Sequence, residues 1–109
     1  MKIRLFCVAG MSTSLLVNRM REAAARRGED VDIRAYAESD MEKCLDGVDV
    51  ALLGPQSRLA LKKARTLCEP RRIPVAVIPV AVYSEMDGEK ALDFARESLA
   101  NIRGGKTNE

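Results

Sequence analysis

The chain has 109 residues, of which 47% are hydrophobic and 31% charged, with a net charge of +2. That is one globular domain, large enough to bury a core without disulfides or metal, and too evenly charged for a nucleic-acid or anionic-membrane binder. It has no histidine, which excludes a histidine general base, a Cys-His dyad, a Ser-His-Asp triad and an internal phosphohistidine.

Lys2 to Val8 reads as a strand running straight into a loop of glycine, serine and threonine. A helix follows over Leu15 to Arg27. Leu16, Met20, Ala23 and Ala24 share its inner face, and Asn18, Arg19, Arg21 and Glu22 lie largely on the other. Arg26 and Arg27 suit the negative end of the helix dipole, and Gly28 supplies the stop. Arg19, Arg21, Arg26 and Arg27 form a basic cluster. It reads as the solvated face of this helix, with a docking surface as the second reading.

Val31, Ile33 and Ala35 alternate with Asp30, Asp32, Arg34 and Tyr36, so the second strand has one wet face and suits a sheet edge. Ser39 to Leu45 reads as a short helix with Ser39 as cap and Glu42 three residues on. Val48 to Leu53 is a mostly apolar, central strand ended by Gly54-Pro55, and Gln56 to Cys68 a helix closed by Pro70. Ile73 to Val80 is a fourth strand. Pro74 and Pro79 place it at an edge or end it early, because proline cannot donate to a ladder. Gly88 to Arg103 is the last helix, with Ala91, Leu92, Ala95, Leu99 and Ile102 inward; residues 104–109 are a polar tail.

Four strands alternating with four helices predict an α/β fold. The expectation is a single domain over residues 1–103, with a four-stranded parallel sheet of order 2-1-3-4 and helices on both faces. The strand order reverses between strands 1 and 3, and ligands of such sheets bind beyond the carboxyl ends of the strands at that point. Cys7 ends strand 1. No apolar run approaches the roughly 20 residues that span a bilayer, and the charged N-terminus is no signal peptide. A cytoplasmic location is the expectation, with no direct membrane insertion.

The three cysteines, Cys7, Cys44 and Cys68, have no metal-ligand spacing and read as free thiols; no metal or cofactor is implied. Cys44 and Cys68 lie on predicted helices and read as core. Cys7 is different. The segment Cys7-Val8-Ala9-Gly10-Met11-Ser12-Thr13-Ser14 joins a strand to a helix N-terminus through a glycine turn and three hydroxyl residues. Backbone N–H groups of Ala9, Gly10, Met11, Ser12, Thr13 and Ser14, with the helix dipole, make a cradle for an anion such as phosphate; the plain alternative is a capped turn beside a buried cysteine. The hydroxyls of Ser12, Thr13 and Ser14 either donate to the anion or cap the helix. The same field favours thiolate, so Cys7 can be the nucleophile without a histidine.

The run Cys7-x-x-Gly10-Met11-Ser12-Thr13-Ser14-Leu15-Leu16 resembles the phosphorylation loop of enzyme IIB components of the phosphoenolpyruvate-dependent sugar phosphotransferase system, lactose/cellobiose/chitobiose class. Leu52-Leu53-Gly54-Pro55-Gln56 is similar to that family's second signature, and Tyr83 with Asp87-Gly88 to its C-terminal region. Pro79 and Ser84 depart from the pattern, which often has an acidic residue and a glycine there. The resemblance implies a relay. A phosphohistidine on a partner IIA protein donates its phosphoryl group to Cys7. The phosphocysteine passes it to a β-linked disaccharide held by the membrane component IIC, so that the chain works transiently at the inner face of the membrane. Gly54, Pro55, Gln56 and Tyr83 would serve as the partner and acceptor surface.

The rival is a cysteine hydrolase of the low-molecular-weight tyrosine phosphatase type, which uses cysteine, five residues, then arginine. Counted from Cys7, Thr13 stands at the arginine position. Without that clamp on the transferring group, and with no evident general acid, hydrolysis should be slow. A redox module lacks a Cys-x-x-Cys pair.

Overall fold

The computed structural model describes residues 1–8 and 13–103. The loop positions Ala9, Gly10, Met11 and Ser12, the side chains of Ile102 and Arg103 and the tail from residue 104 lie outside the described residues.

Strand β1 (Lys2–Cys7) leads to helix α1 (Ser14–Arg27), then β2 (Asp32–Ala37), a 3-10 helix (Glu38–Cys44) and β3 (Val50–Leu53). A second 3-10 helix (Pro55–Ala60) runs into α2 (Leu61–Cys68) and a short turn (Glu69–Arg71). Strand β4 (Val75–Val77), the short helix α3 (Val80–Ser84) and α4 (Gly88–Arg103) complete the chain. All three strand pairings are parallel and the sheet order is β2-β1-β3-β4, as the alternation predicts.

Alternation along β1 divides the core in two. Ile3 and Leu5 face α1 and α4, joining Leu16, Met20, Val50, Leu52, Ala91, Leu92 and Ala95. Phe6 faces the opposite side, where Ala51, Leu53, Met41 and Leu45 meet Ala64 and Cys68 of α2. Each large side chain buried this way contributes about 1.5–3 kcal/mol. Arg4 shares the Phe6 side and is buried; its guanidinium donates to the Ile3 carbonyl (3.1 Å), the Asp32 carbonyl (2.8 Å) and Asp32 Oδ2 (3.1 Å). Arg4, chiefly through that last bond, holds the Asp32 carboxyl below its ordinary range.

The ends of α1 follow local chemistry. Gly28 adopts φ +68, and its N–H donates to the Ala24 and Ala25 carbonyls, which closes the helix. The basic cluster is not a plain solvated face. Arg21 lays its Nε (3.0 Å) and a terminal nitrogen (2.5 Å) on the Ile33 carbonyl, covering part of the open β2 edge. Arg26 and Arg27 pair with Glu89, and Arg27 also with Asp93, so they tie α1 to α4. At that crossing Gly88 is indispensable: a Cβ there would sit 2.3 Å from the backbone carbon and oxygen of Arg19.

Several bounds shift by a residue or two, β3 beginning at Val50 and not Val48, and three segments differ more from the sequence reading. The expected Ser39–Leu45 helix is a 3-10 helix beginning at Glu38, without a side-chain cap. The expected Gln56–Cys68 helix is broken at Ser57 (φ −104, ψ 16), with regular α geometry only from Leu61. The fourth strand is confined to Val75–Val77 between the two prolines: Pro74 contributes only its carbonyl, which accepts from Ala51 N–H at 3.0 Å, and Pro79 starts α3.

Candidate functional site

Cys7 is the last residue of β1 and is fully buried, with Ala37 of β2 as its register partner. It stands where the sheet order reverses, at the carboxyl end of the strands. Thr13 is also fully buried, and its Oγ1 donates to Cys7 Sγ at 3.5 Å. The threonine precedes α1 and its carbonyl accepts the first helical bond, from Val17 N–H at 2.9 Å. Its hydroxyl makes no cap bond: a side chain of a type that ordinarily caps a helix is turned to the sulfur instead. A hydroxyl donor and the positive end of a 14-residue helix both favour negative charge at this point.

Gly54 closes the other side. Its N–H donates to the Phe6 carbonyl at 2.9 Å, which extends the β1–β3 ladder by one bond. A Cβ on Gly54 would lie 3.4 Å from Thr13 Cγ2 and 3.5 Å from Cys7 Cβ, so the glycine backbone forms a wall against both. Pro55 is half-buried beside it and Gln56 is exposed, with its Oε1 over Gly54. Ser14 opens α1 and is exposed. Tyr83 lies on α3, half-buried against the core on the α1 and α4 face. Cys7, Thr13 and Gly54 are thus brought together; Ala9, Gly10, Met11 and Ser12 lie outside the described residues.

The other thiols have different surroundings. Cys68 is fully buried against α2's core contacts, and burial pushes its thiol up to about 11. Cys44 is half-buried against the same core. Among the described residues no group of histidine, cysteine and carboxylate side chains could hold a metal ion, and no helix is long and apolar enough to cross a membrane.

Several features escape sequence reading. Val8, Leu15, Leu59 and Val80 are exposed, Leu59 at 90%. Val8 follows β1, Leu15 lies in the first turn of α1, Leu59 lies in the 3-10 helix after β3, and Val80 opens α3 after β4. Leu15, out of phase with the buried Leu16 and Met20, is the one whose exposure helical periodicity could have disclosed. A groove of about 520 Å³ runs from Ser14 between α1 and β2, lined also by Asn18, Arg21, Arg34 and Tyr36. Ser57 is buried and bonded to Glu38; its only sequence signal is its place two residues after Gly54-Pro55.

A family model described as "PTS system, Lactose/Cellobiose specific IIB subunit" matches residues 2–94. The chain is 41% identical over 104 residues to the galactose-specific EIIB component of Lactococcus lactis subsp. cremoris, and equally so to the cellobiose-specific EIIB component of Lactococcus lactis subsp. lactis. In both cases the match covers 91% of this chain and 95% of the relative. Among solved structures, the cellobiose-specific phosphotransferase IIB component from Borrelia burgdorferi superposes with a TM-score of 0.77 at 39% identity, covering 94% of each chain.

Proposed function

The chain belongs to the lactose/cellobiose-specific IIB family of the phosphotransferase system, and from that premise we propose that Cys7 is the phosphoryl carrier. The family is a phosphotransferase family; the thiol, the donor and the acceptor are our assignment. The observation that carries it is the buried contact between Thr13 Oγ1 and Cys7 Sγ at the strand-order reversal. No such setting surrounds Cys68, whose thiol burial holds in its neutral form.

The chemistry balances without a histidine in this chain. The Cys7 thiolate attacks phosphorus of a phosphohistidine on the IIA partner; the S–P bond forms, the N–P bond breaks, and the imidazole leaves with the electron pair. A sugar hydroxyl on IIC then attacks the same phosphorus. The O–P bond forms, the S–P bond breaks, the hydroxyl proton departs to a base of the partner or to solvent, and thiolate returns. Val8, next to Cys7, and Leu15, in the first turn of α1, are exposed apolar groups beside the thiol's segment and suit the docking of a protein partner there. The acceptor is a β-linked sugar of the lactose or cellobiose class. A galactose-specific and a cellobiose-specific relative match at the same identity, which agrees with sugar choice residing in IIC. Working between these partners places the chain in the cytoplasm, at the inner face of the membrane during transfer.

A hydrolase would need a cation clamp, and Thr13 occupies that position with its hydroxyl committed to the sulfur. Incubation with a phosphorylated IIA protein should therefore add one phosphoryl group to the chain by intact mass, while an aryl phosphate is turned over negligibly. Rapid Cys7-dependent hydrolysis without a lasting adduct would replace the carrier with a phosphatase.

A further inference from the structure

The turn after β3 is held from two directions. Gly54 N–H bonds back to Phe6, beside Cys7. Ser57 N–H donates to the Gly54 carbonyl at 2.8 Å, and Ser57 Oγ donates to Glu38 Oε1 at 2.9 Å. Glu38 directly follows Ala37, the register partner of Cys7. Because β1 lies between β2 and β3, the Ser57–Glu38 bond joins the segments after the two flanking strands past the end of the strand that carries the thiol. Ser57 is 2% exposed, and with Arg4 and Thr13 it belongs to the few buried polar side chains among the described residues. Arg4 is accounted for by Asp32 and Thr13 by Cys7. Ser57 departs from helical geometry within its own segment, and that departure accompanies its bond to Glu38.

We propose that Glu38 and Ser57 are a positioning pair for phosphoryl acceptance. Together they hold the Gly54 backbone against Cys7 and Thr13, so the sulfur keeps one orientation toward the incoming phosphorus. This rests on the reading of Cys7 as the acceptor. Neither residue touches the reacting atoms; both act through Gly54. A transfer between two proteins is sensitive to such placement, because misplacing a reacting group by a fraction of its contact distance costs rate without costing binding.

The test is single-turnover phosphoryl acceptance, read by intact mass across a range of donor concentrations. The donor is a lactose/cellobiose-class IIA protein charged by the general phosphotransferase proteins and phosphoenolpyruvate. Glu38→Gln keeps an acceptor oxygen and should match the unaltered chain. Glu38→Ala, Ser57→Ala and the double variant should each lose about tenfold in maximal rate, with the half-saturating donor concentration unchanged. The double variant should be no slower than the singles, since one bond is removed in all three. Iodoacetamide alkylation of Cys7, which needs no donor, should quicken in those variants, because a loosened wall uncovers a buried sulfur. A bond serving stability alone would lower the melting temperature and leave both rates as they are; that result overturns the proposal. A Glu38→Gln chain as slow as Glu38→Ala would overturn it too, by assigning the effect to charge. If the unaltered chain accepts no phosphoryl group, the carrier reading falls instead. Alkylation then decides alone: faster in Ser57→Ala supports the hold on Cys7, and unchanged overturns it.

Discussion

Thr13→Val isolates the electrostatic support of the thiol. Valine matches threonine in shape, and the site is fully buried, so the exchange removes a hydroxyl and opens little space. What is lost is one donor to Cys7 Sγ at 3.5 Å. A hydrogen bond to a charged group contributes about 1.5–3 kcal/mol, and this one, long even for sulfur, belongs at the low end. A loss of about 1.4 kcal/mol in the thiolate form alone is one unit in the ionisation midpoint. The alkylation-against-pH profile of Cys7 should therefore move up by about one unit, with the rate at neutral pH about tenfold lower. The assay is iodoacetamide modification across pH, with Cys7 resolved by peptide mass. Thr13→Ser is the control: it keeps the donor, loses a methyl at a cost of about 1 kcal/mol in stability, and should leave the midpoint in place. A Thr13→Val profile lying on that of the unaltered chain would refute the reasoning, and would leave the helix dipole as the main influence on the sulfur.

Gly88→Ala should destabilise by about 1–3 kcal/mol, at the upper end because the clash at 2.3 Å is with Arg19 backbone; urea denaturation measures it, and a loss below about 0.5 kcal/mol would mean that α1 and α4 part easily. Cys68 should resist alkylation at pH 8 while Cys7 reacts, since its thiol is pushed up to about 11; the same shift means that the folded state holds a proton the unfolded state releases, so stability should decline as pH rises through 9 to 11. Asp32 and Glu89 shift the other way. Arg4, and Arg26 with Arg27, hold their carboxyls below the ordinary values of 3.8 and 4.5, so their contribution is present above those values and is lost as pH falls below them. Asp32→Asn should therefore flatten the acid end of a melting-temperature profile, and a slope unchanged from pH 5 to 2 would contradict that assignment.

Local signals carried much of the architecture. The run from Lys2 to Cys7, the buried stripe of α1 and the Gly28 stop depend on periodicity and on one left-handed glycine, so they are legible without partners. The edge position of β2 is legible from its alternating charges, and that of β4 from its two prolines. The segments after β2 and β3 are not. The two segments are joined by the Ser57–Glu38 bond, a tertiary contact between residues 19 positions apart, and no local propensity encodes it. The same holds at the site. Cys7 is conspicuous by its place between strand and helix, and Gly54 by its family signature. That Thr13 turns its hydroxyl to sulfur is a choice between two ordinary uses of threonine, which only packing around Gly54 decides. Arg21 escaped for a related reason: an arginine on an outer helical face gives no sign that a strand-edge carbonyl lies within reach.

The central claim is that Cys7 alone carries the phosphoryl group, and intact-mass spectrometry after treatment with a phosphorylated IIA donor tests it most directly. Cys44→Ser and Cys68→Ser should each gain one phosphoryl group, as the unaltered chain does, although Cys68→Ser should be less stable by about 1–3 kcal/mol because it buries a hydroxyl in the core. Cys7→Ser should gain none while remaining folded, because a serine hydroxyl is far harder to ionise than a thiol. An adduct persisting in Cys7→Ser, or absent from a folded Cys44→Ser or Cys68→Ser, would contradict the assignment of Cys7.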